Sequence, residues 1–134
     1  MTEKIEIKRI NKNEIHIKDM IVMILENNII EFNAIGAPNE DYANACYQLD
    51  TELINELKGK VYRIINLNKA GKPSKKAREI FQKILNDNPV EKTAFIVGNP
   101  VAKIIASFII VFLRNEDIRI FSKRENAIEW FKSK

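Results

Sequence analysis

The most apolar stretch of the chain is 92–113, KTAFIVGNPVAKIIASFIIVFL, and the tripeptide GNP at 98–100 interrupts it. A helix that spans a membrane needs about 20 consecutive apolar residues. The part after the interruption has only 13 residues and includes Lys103. Asn is a favourable N-cap and Pro is tolerated at the first helical position. The stretch therefore predicts a buried strand at 93–98 that turns into a strongly apolar helix at 101–113, and no membrane span.

Hydrophobic periodicity predicts the remaining elements. Apart from 93–98, the predicted strands are 20–25, 29–35, 61–67 and 117–121, and 14–18 is a candidate addition to the edge. Apart from 101–113, the predicted helices are 39–58, capped by Asn39 or Asp41, 74–85, capped by Ser74, and a terminal helix with Ser122 and Glu125 as its capping box. Asn27 and Asn28 tolerate positive φ and predict a hairpin between the strands that flank them. The order ββαβαβαβα predicts a single α/β domain over 1–134, with a mixed, mostly parallel sheet covered by helices.

Composition and cysteine usage narrow the class of protein. Apolar residues make up 46% and charged residues 30% of the 134 residues, which is typical of one soluble globular domain. The charged N-terminus has no apolar signal core, and Cys46 has no partner for an internal disulfide. We therefore expect a cytoplasmic protein, with Cys46 as a small core side chain on the first helix.

No residue pattern indicates catalysis, a metal or a cofactor. His16 is the only histidine and no cysteine cluster accompanies it, so a metal site has little support. The sequence contains no phosphate-binding glycine loop, no nucleophile elbow and no zinc-ligand spacing. We expect a protein that is not an enzyme and has no cofactor.

Positive charge is concentrated in the second half of the chain. Residues 1–67 hold 8 Lys or Arg against 11 Asp or Glu, whereas 68–134 hold 14 against 7. Much of the excess lies in 69–83, KAGKPSKKAREIFQK, where Glu79 is the only acid. This run fits either a solvated helix face or a patch that binds an anion or an acidic partner. It lacks interleaved aromatic residues and the net charge is only +4, so we do not expect nucleic-acid binding.

Three segments carry a resemblance to a known family. They are YRIINLNKAGKPSKKAREIF, the turn FIVGNPVAKIIASF and the closing IRIFSKRENAIEWF. Together with the element order, they resemble small STAS-type domains over about 15–132, in particular bacterial proteins similar to sporulation anti-sigma factor antagonists, which are grouped loosely with lipid-binding Sec14-like domains. The resemblance implies a STAS-like fold and a non-catalytic regulatory domain that binds proteins.

The same resemblance allows one motif to be tested. Anti-sigma factor antagonists carry Asp-Ser, a small residue and Gly at the start of the helix after the third strand, and that serine is a phosphorylation site. Here the matching stretch is KPSKK at 72–76, so Ser74 is in place but the aspartate and the glycine are absent. Ser74 is therefore either a plain N-cap or a phosphosite whose phosphate the neighbouring lysines would stabilise.

Two functions remain open. The first is an interaction domain that forms a homodimer or binds a protein partner, because the helix at 101–113 has apolar residues on more than one face. Its candidate interface residues are Phe108, Ile109 and Phe112, unless the terminal helix covers them with Trp130 and Phe131. The second is a carrier for an anionic or lipid-like small molecule at the carboxyl edge of the sheet. Its candidate ligand-binding residues are Asn66, Asn68, Lys69, Lys72, Ser74, Lys75, Gly98 and Asn99.

Overall fold

The computed structural model describes residues 5–110 and 116–133 and shows one seven-stranded sheet with four helices. The strands are β1 Ile7–Asn11, β2 Glu14–Ile17, β3 Met20–Leu25, β4 Ile29–Gly36, β5 Tyr62–Ala70, β6 Lys92–Ile96 and β7 Ile118–Phe121. The helices are α1 Glu40–Glu56, α2 Lys75–Asp87, α3 Pro100–Ile110 and α4 Arg124–Lys132. The strands lie in the sheet in chain order. The predicted mixed α/β class is confirmed.

The predicted order was incomplete at its start, because two strands precede the predicted hairpin. β1 to β4 form an antiparallel meander, and β4 to β7 run parallel to one another. β2 corresponds to the candidate edge stretch at 14–18, whereas β1 was not predicted. The sequence of β1, IKRIN, has no clean alternation, because it is an edge strand with four of its five residues exposed. Lys8 and Arg9 lie on this edge, and charge there discourages pairing with other chains.

The hairpin between β3 and β4 forms as predicted. Asn27 and Asn28, in the three-residue loop between Leu25 and Ile29, have φ values of 65° and 59°, a left-handed conformation that asparagine tolerates. The side chain of Asn28 also donates hydrogen bonds to the carbonyl oxygens of Lys58 and Lys60, at 2.6 and 3.3 Å. The turn is therefore attached to the connection between α1 and β5.

The helices lie on opposite faces of the sheet. Side chains of Phe95 and Val97 pack with α3, whereas those of the alternate residues Ala94 and Ile96 pack with Ala127 and other α4 residues. Successive side chains of a strand point to opposite faces. Hence α1, α2 and α3 cover one face and α4 covers the other. The alternative that the terminal helix covers part of the apolar third helix, which the sequence left open, does not hold for the described residues.

Three of the predicted helix caps are confirmed and one is wrong. The side chains of Asn39, Ser74 and Asn99 accept hydrogen bonds from the amides three residues further on, at 3.0, 3.1 and 2.8 Å. Before α4 the cap position is Lys123, without a side-chain hydrogen bond, so the capping box of Ser122 does not form. The described part of helix α3 ends at Ile110. Residues 111–113, which were predicted to belong to this helix, lie outside the described residues. No helix in the described part is long and apolar enough to cross a membrane.

A buried ion pair lies between α1 and β5. Arg63 and Asp50 are 1% and 0% exposed, and the guanidinium donates to both carboxylate oxygens at 2.9 and 2.7 Å. Arg63 also donates to the Thr93 hydroxyl at 3.1 Å and to the Asn88 carbonyl oxygen at 2.9 Å, and the Asn88 amide donates to Asp50 at 3.1 Å. One side chain of β5 thus joins α1, β6 and the end of α2.

We expect Asp50→Asn to lower the free energy of unfolding by about 3–5 kcal/mol, because it leaves the Arg63 charge buried without a counterion. A matched control is Arg9→Met. It removes the exposed ion pairs of Arg9 with Glu52 and Glu56 and should cost less than about 1 kcal/mol. Urea unfolding of both variants provides the comparison. Equal losses in the two variants would contradict a structural role for the buried pair.

Candidate functional site

The loops at the carboxyl ends of β4 and β5 are tied together by backbone hydrogen bonds. The amide of Gly71 donates to the carbonyl oxygen of Gly36 at 2.7 Å, and the amide of Ser74 donates to that of Pro38 at 3.0 Å. A Cβ on Gly71 would lie 3.2 Å from the Ala37 nitrogen, so glycine permits this close approach. The two loops therefore form one rigid rim at the edge where we predicted a ligand site.

Four of the predicted ligand-binding residues meet at this edge. The side chain of Asn68 accepts a hydrogen bond from the Gly98 amide at 2.5 Å, and the side chain of Asn99 donates to the Asn68 carbonyl oxygen at 3.1 Å. The Asn66 side chain accepts from the Asn68 amide at 3.0 Å. Asn66, Asn68 and Lys69 belong to β5 itself, which extends three residues beyond the predicted strand. These amide groups connect the ends of β5 and β6 to one another.

The remaining predicted ligand residues lie around the start of α2. Ser74 is exposed, and its hydroxyl caps the helix by accepting from the Ala77 amide. Lys75 is the first residue of α2, and Lys69, Lys72 and Lys75 are all exposed. Ser74 is therefore the N-cap of α2. Phosphorylation of Ser74 stays a prediction.

A cation–aromatic cluster joins α2 to α3; it consists of Lys72, Arg78 and Phe108. Lys72 Nζ lies 5.7 Å and Arg78 Cζ lies 5.3 Å from the centre of the Phe108 ring, within the range of cation–π attraction. The Arg78 Nε atom is buried and has no hydrogen-bond partner. We did not predict this cluster, because its members are separated by up to 36 positions and only their packing brings them together.

The outer face of α3 carries exposed apolar side chains. Val101 and Ile104 are 58% and 55% exposed, and Phe108 continues their row along the helix as a half-buried ring. Residues at these spacings lie on one face. We call Val101, Ile104 and Phe108 the outer row of α3.

Of the two predicted interface residues in the described part of the chain, Phe108 lies on the outer row and Ile109 does not. Ile109 is 4% exposed and packs in the core with Phe95 and Ala102, so its assignment to the outer surface is wrong. At 100° per residue, Ile109 lies on the same side of the helix as Ile105, which also faces the sheet. Phe112 lies outside the described residues.

Cys46 and His16, the two other residues singled out in the sequence, both have contacts within the protein. Cys46 is buried in the core, and burial raises the pKa of its thiol to about 12, so it stays protonated at neutral pH. His16 lies 2.6 Å from the Glu14 carboxylate on β2. Among the described residues, no group of three or more His, Cys, Asp or Glu is placed to hold a metal ion.

Comparison with known proteins places the chain in a family. Residues 23–134 match the family described as a domain of unknown function, DUF7793. The chain belongs to this family. The match covers β4 to α4 and the second half of β3, whereas β1 and β2 precede it. No curated protein matches the sequence.

Two solved structures share the fold at low identity. One is an uncharacterised protein of the DUF3478 family with a SpoIIAA-like fold from Shewanella loihica PV-4, with 12% identity and a TM-score of 0.63 over 83% of this chain and 90% of that chain. The other is the anti-sigma factor antagonist SpoIIAA in its unphosphorylated form, with 12% identity and a TM-score of 0.61 over 86% of this chain and 99% of that chain. The DUF7793 domain described here therefore has a SpoIIAA-like, STAS-type fold, as the sequence resemblance predicted.

We expect Asn68 and Gly98 to be energetically coupled. Asn68→Ala removes the acceptor of the Gly98 amide and should cost about 1 kcal/mol of unfolding free energy. Gly98→Ala should also destabilise, because its Cβ would lie 2.9 Å from the Asn68 carboxamide oxygen. In the double variant the clash is absent, so its loss should be smaller than the sum of the two single losses. Urea unfolding of the four proteins measures the coupling, and additive losses would contradict it.

Proposed function

We propose that this domain is a non-catalytic regulatory module that binds another protein, or a second copy of itself, through the outer row of α3 and the adjoining cation–aromatic cluster. The observation that carries the proposal is the exposure of Val101 and Ile104, which are the two most exposed large hydrophobic side chains among the described residues. A helix that only covers a sheet needs a single apolar stripe, and α3 already buries Ala102, Ile105, Ala106 and Ile109. A second apolar row therefore indicates a second contact.

The charges around this surface support a partner with acidic groups. Lys72 and Arg78 lie against Phe108, and Lys75 and Lys76 begin α2 next to them. Within the described part of the chain, none of these four cations forms an ion pair. An acidic partner would gain their attraction without breaking an existing pair, and the positive field would speed its association.

The fold adds support of a general kind. SpoIIAA, which shares the fold, is described as an anti-sigma factor antagonist. Because a fold alone does not determine function, the surface on α3 carries the proposal and the likeness only agrees with it.

The alternative of an anionic ligand at the carboxyl edge has weaker support. Asn68 and Asn99 hydrogen-bond to backbone groups of the two strand ends, so they already have partners that a ligand would have to replace. The exposed lysines at the start of α2 serve an acidic protein surface equally well. We therefore favour protein binding.

A lysine at Ile104 tests the surface. Ile104→Lys should weaken self-association or partner binding, while circular dichroism and the melting temperature stay close to those of the wild type, because the side chain is already exposed. The matched control Ile21→Lys changes an isoleucine that is 41% exposed on β3 and should leave association unchanged. Ile109→Lys should instead unfold the domain, because it buries an unpaired charge.

Sedimentation of the wild type and the Ile104→Lys variant measures self-association. Partner binding is measured by immobilising each protein and comparing which proteins it retains from an extract of the source cells. A wild type that is monomeric at high concentration and retains no protein would contradict the proposal. So would an Ile104→Lys variant that associates as strongly as the wild type.

The contribution of charge is tested separately. Changing Lys72, Lys75 and Lys76 together to Gln should weaken binding of the partner most at low salt, and the difference from the wild type should shrink toward physiological ionic strength, where the Debye length is about 8 Å. A triple change of exposed lysines elsewhere, at Lys8, Lys12 and Lys58, is the control for net charge. Equal effects of the two triple changes would show that the position of the lysines does not matter.

A further inference from the structure

The structure contains a partly open apolar cavity of about 60 Å³ between the sheet and the three helices on its first face. Side chains from the sheet and from α1, α2 and α3 form its wall, among them Phe32, Cys46, Phe81, Phe95 and Ile105. It lies beneath the carboxyl edge and is separate from the outer row of α3. Natural cores contain few voids larger than a water molecule, so this space calls for an explanation.

The charged groups in the wall of the cavity are hydrogen-bonded to other groups of the protein. Asp50 and Arg63 line one end, and they hydrogen-bond to each other, to Thr93 and to Asn88. An ordered water needs two to four polar partners, and an apolar cavity stays dry. The chemistry of the wall therefore favours an apolar occupant over water.

The opposite end of the cavity approaches the surface at the rim of the sheet. Ile35, Pro38, Gly71 and Pro73 line it there, and Ile35 is also 40% exposed to solvent. These residues belong to the two loops that the hydrogen bonds between Gly71 and Gly36 and between Ser74 and Pro38 hold together. Among the residues that line the cavity, Ile35 is therefore the most exposed to solvent.

We propose that this cavity receives the end of an aliphatic chain of a small molecule, which enters at the rim between the β4–α1 and β5–α2 loops. The volume limits what fits: an engineered cavity of about 150 Å³ holds benzene, so 60 Å³ accommodates two or three carbon atoms. The rest of a longer molecule would lie at the rim, beside the exposed side chain of Lys72. This binding site goes beyond the proposed protein-binding function and does not depend on it.

Xenon and six-carbon compounds are suitable probes. Under xenon pressure, amide resonances of residues that line the cavity should shift in two-dimensional NMR spectra, whereas those of the α4 face should not. Hexanoate and hexan-1-ol should shift the same resonances and raise the melting temperature, because a ligand that binds only the native state stabilises it. Tighter binding of hexanoate would indicate a fatty acid, and equal binding of the two would indicate a neutral chain. An absence of shifts at the cavity with all three probes would overturn the proposal.

A substitution that fills the cavity tests the same site by mutation. Ala34 is half-buried and lines the cavity, so Ala34→Leu should place its added carbons there. Loss of space for two or three methylene groups should weaken hexanoate binding by about 15- to 60-fold. Asn44→Leu adds a leucine at an exposed position of α1 and should leave binding unchanged. If Ala34→Leu does not fold, Ala70→Leu provides a second filling variant at the rim end. Wild-type affinity in a folded filling variant would overturn the proposal.

Discussion

The buried Arg63–Asp50 pair connects β5 to three other elements of the fold. Its hydrogen bonds reach α1, β6 and Asn88, the residue that follows α2, so they set the positions of these three elements relative to β5. Removal of two charges from water is expensive, and only the full set of partners compensates for it. The pair therefore favours one arrangement of the elements, because a shifted helix would leave a buried charge without its partner.

The sequence predicted the parallel half of the fold well, because the signals there are local. Pro100 after Asn99, and Ser74 before a periodic run, mark helix starts through chemistry within three residues. The β1 strand was missed for the opposite reason. An exposed edge strand has no buried face, so its sequence lacks the alternation of apolar and polar residues that predicts a strand. Only the pairing of β1 with β2 identifies it as a strand.

The candidate site was predictable only in part, because its contacts connect distant segments. The sequence placed Asn68 and Gly98 at one edge, but not the hydrogen bond between them, which depends on the register of β5 and β6. It indicated an unusually apolar third helix, but not which side of that helix faces the sheet, and Ile109 was assigned to the wrong side for that reason. The cation–π contact of Arg78 with Phe108 depends on how α2 packs against α3, and no local pattern encodes it.

Two backbone hydrogen bonds join the two loops of the rim at the carboxyl edge. The Gly71–Gly36 and Ser74–Pro38 hydrogen bonds use amides and carbonyl oxygens, and the side chains of Lys72 and Lys75 take no part in them. Because the frame does not depend on these side chains, their identity is free to change without moving the loops. A domain built in this way can exchange the chemistry by which it recognises partners through single substitutions, while the geometry that presents those residues stays the same.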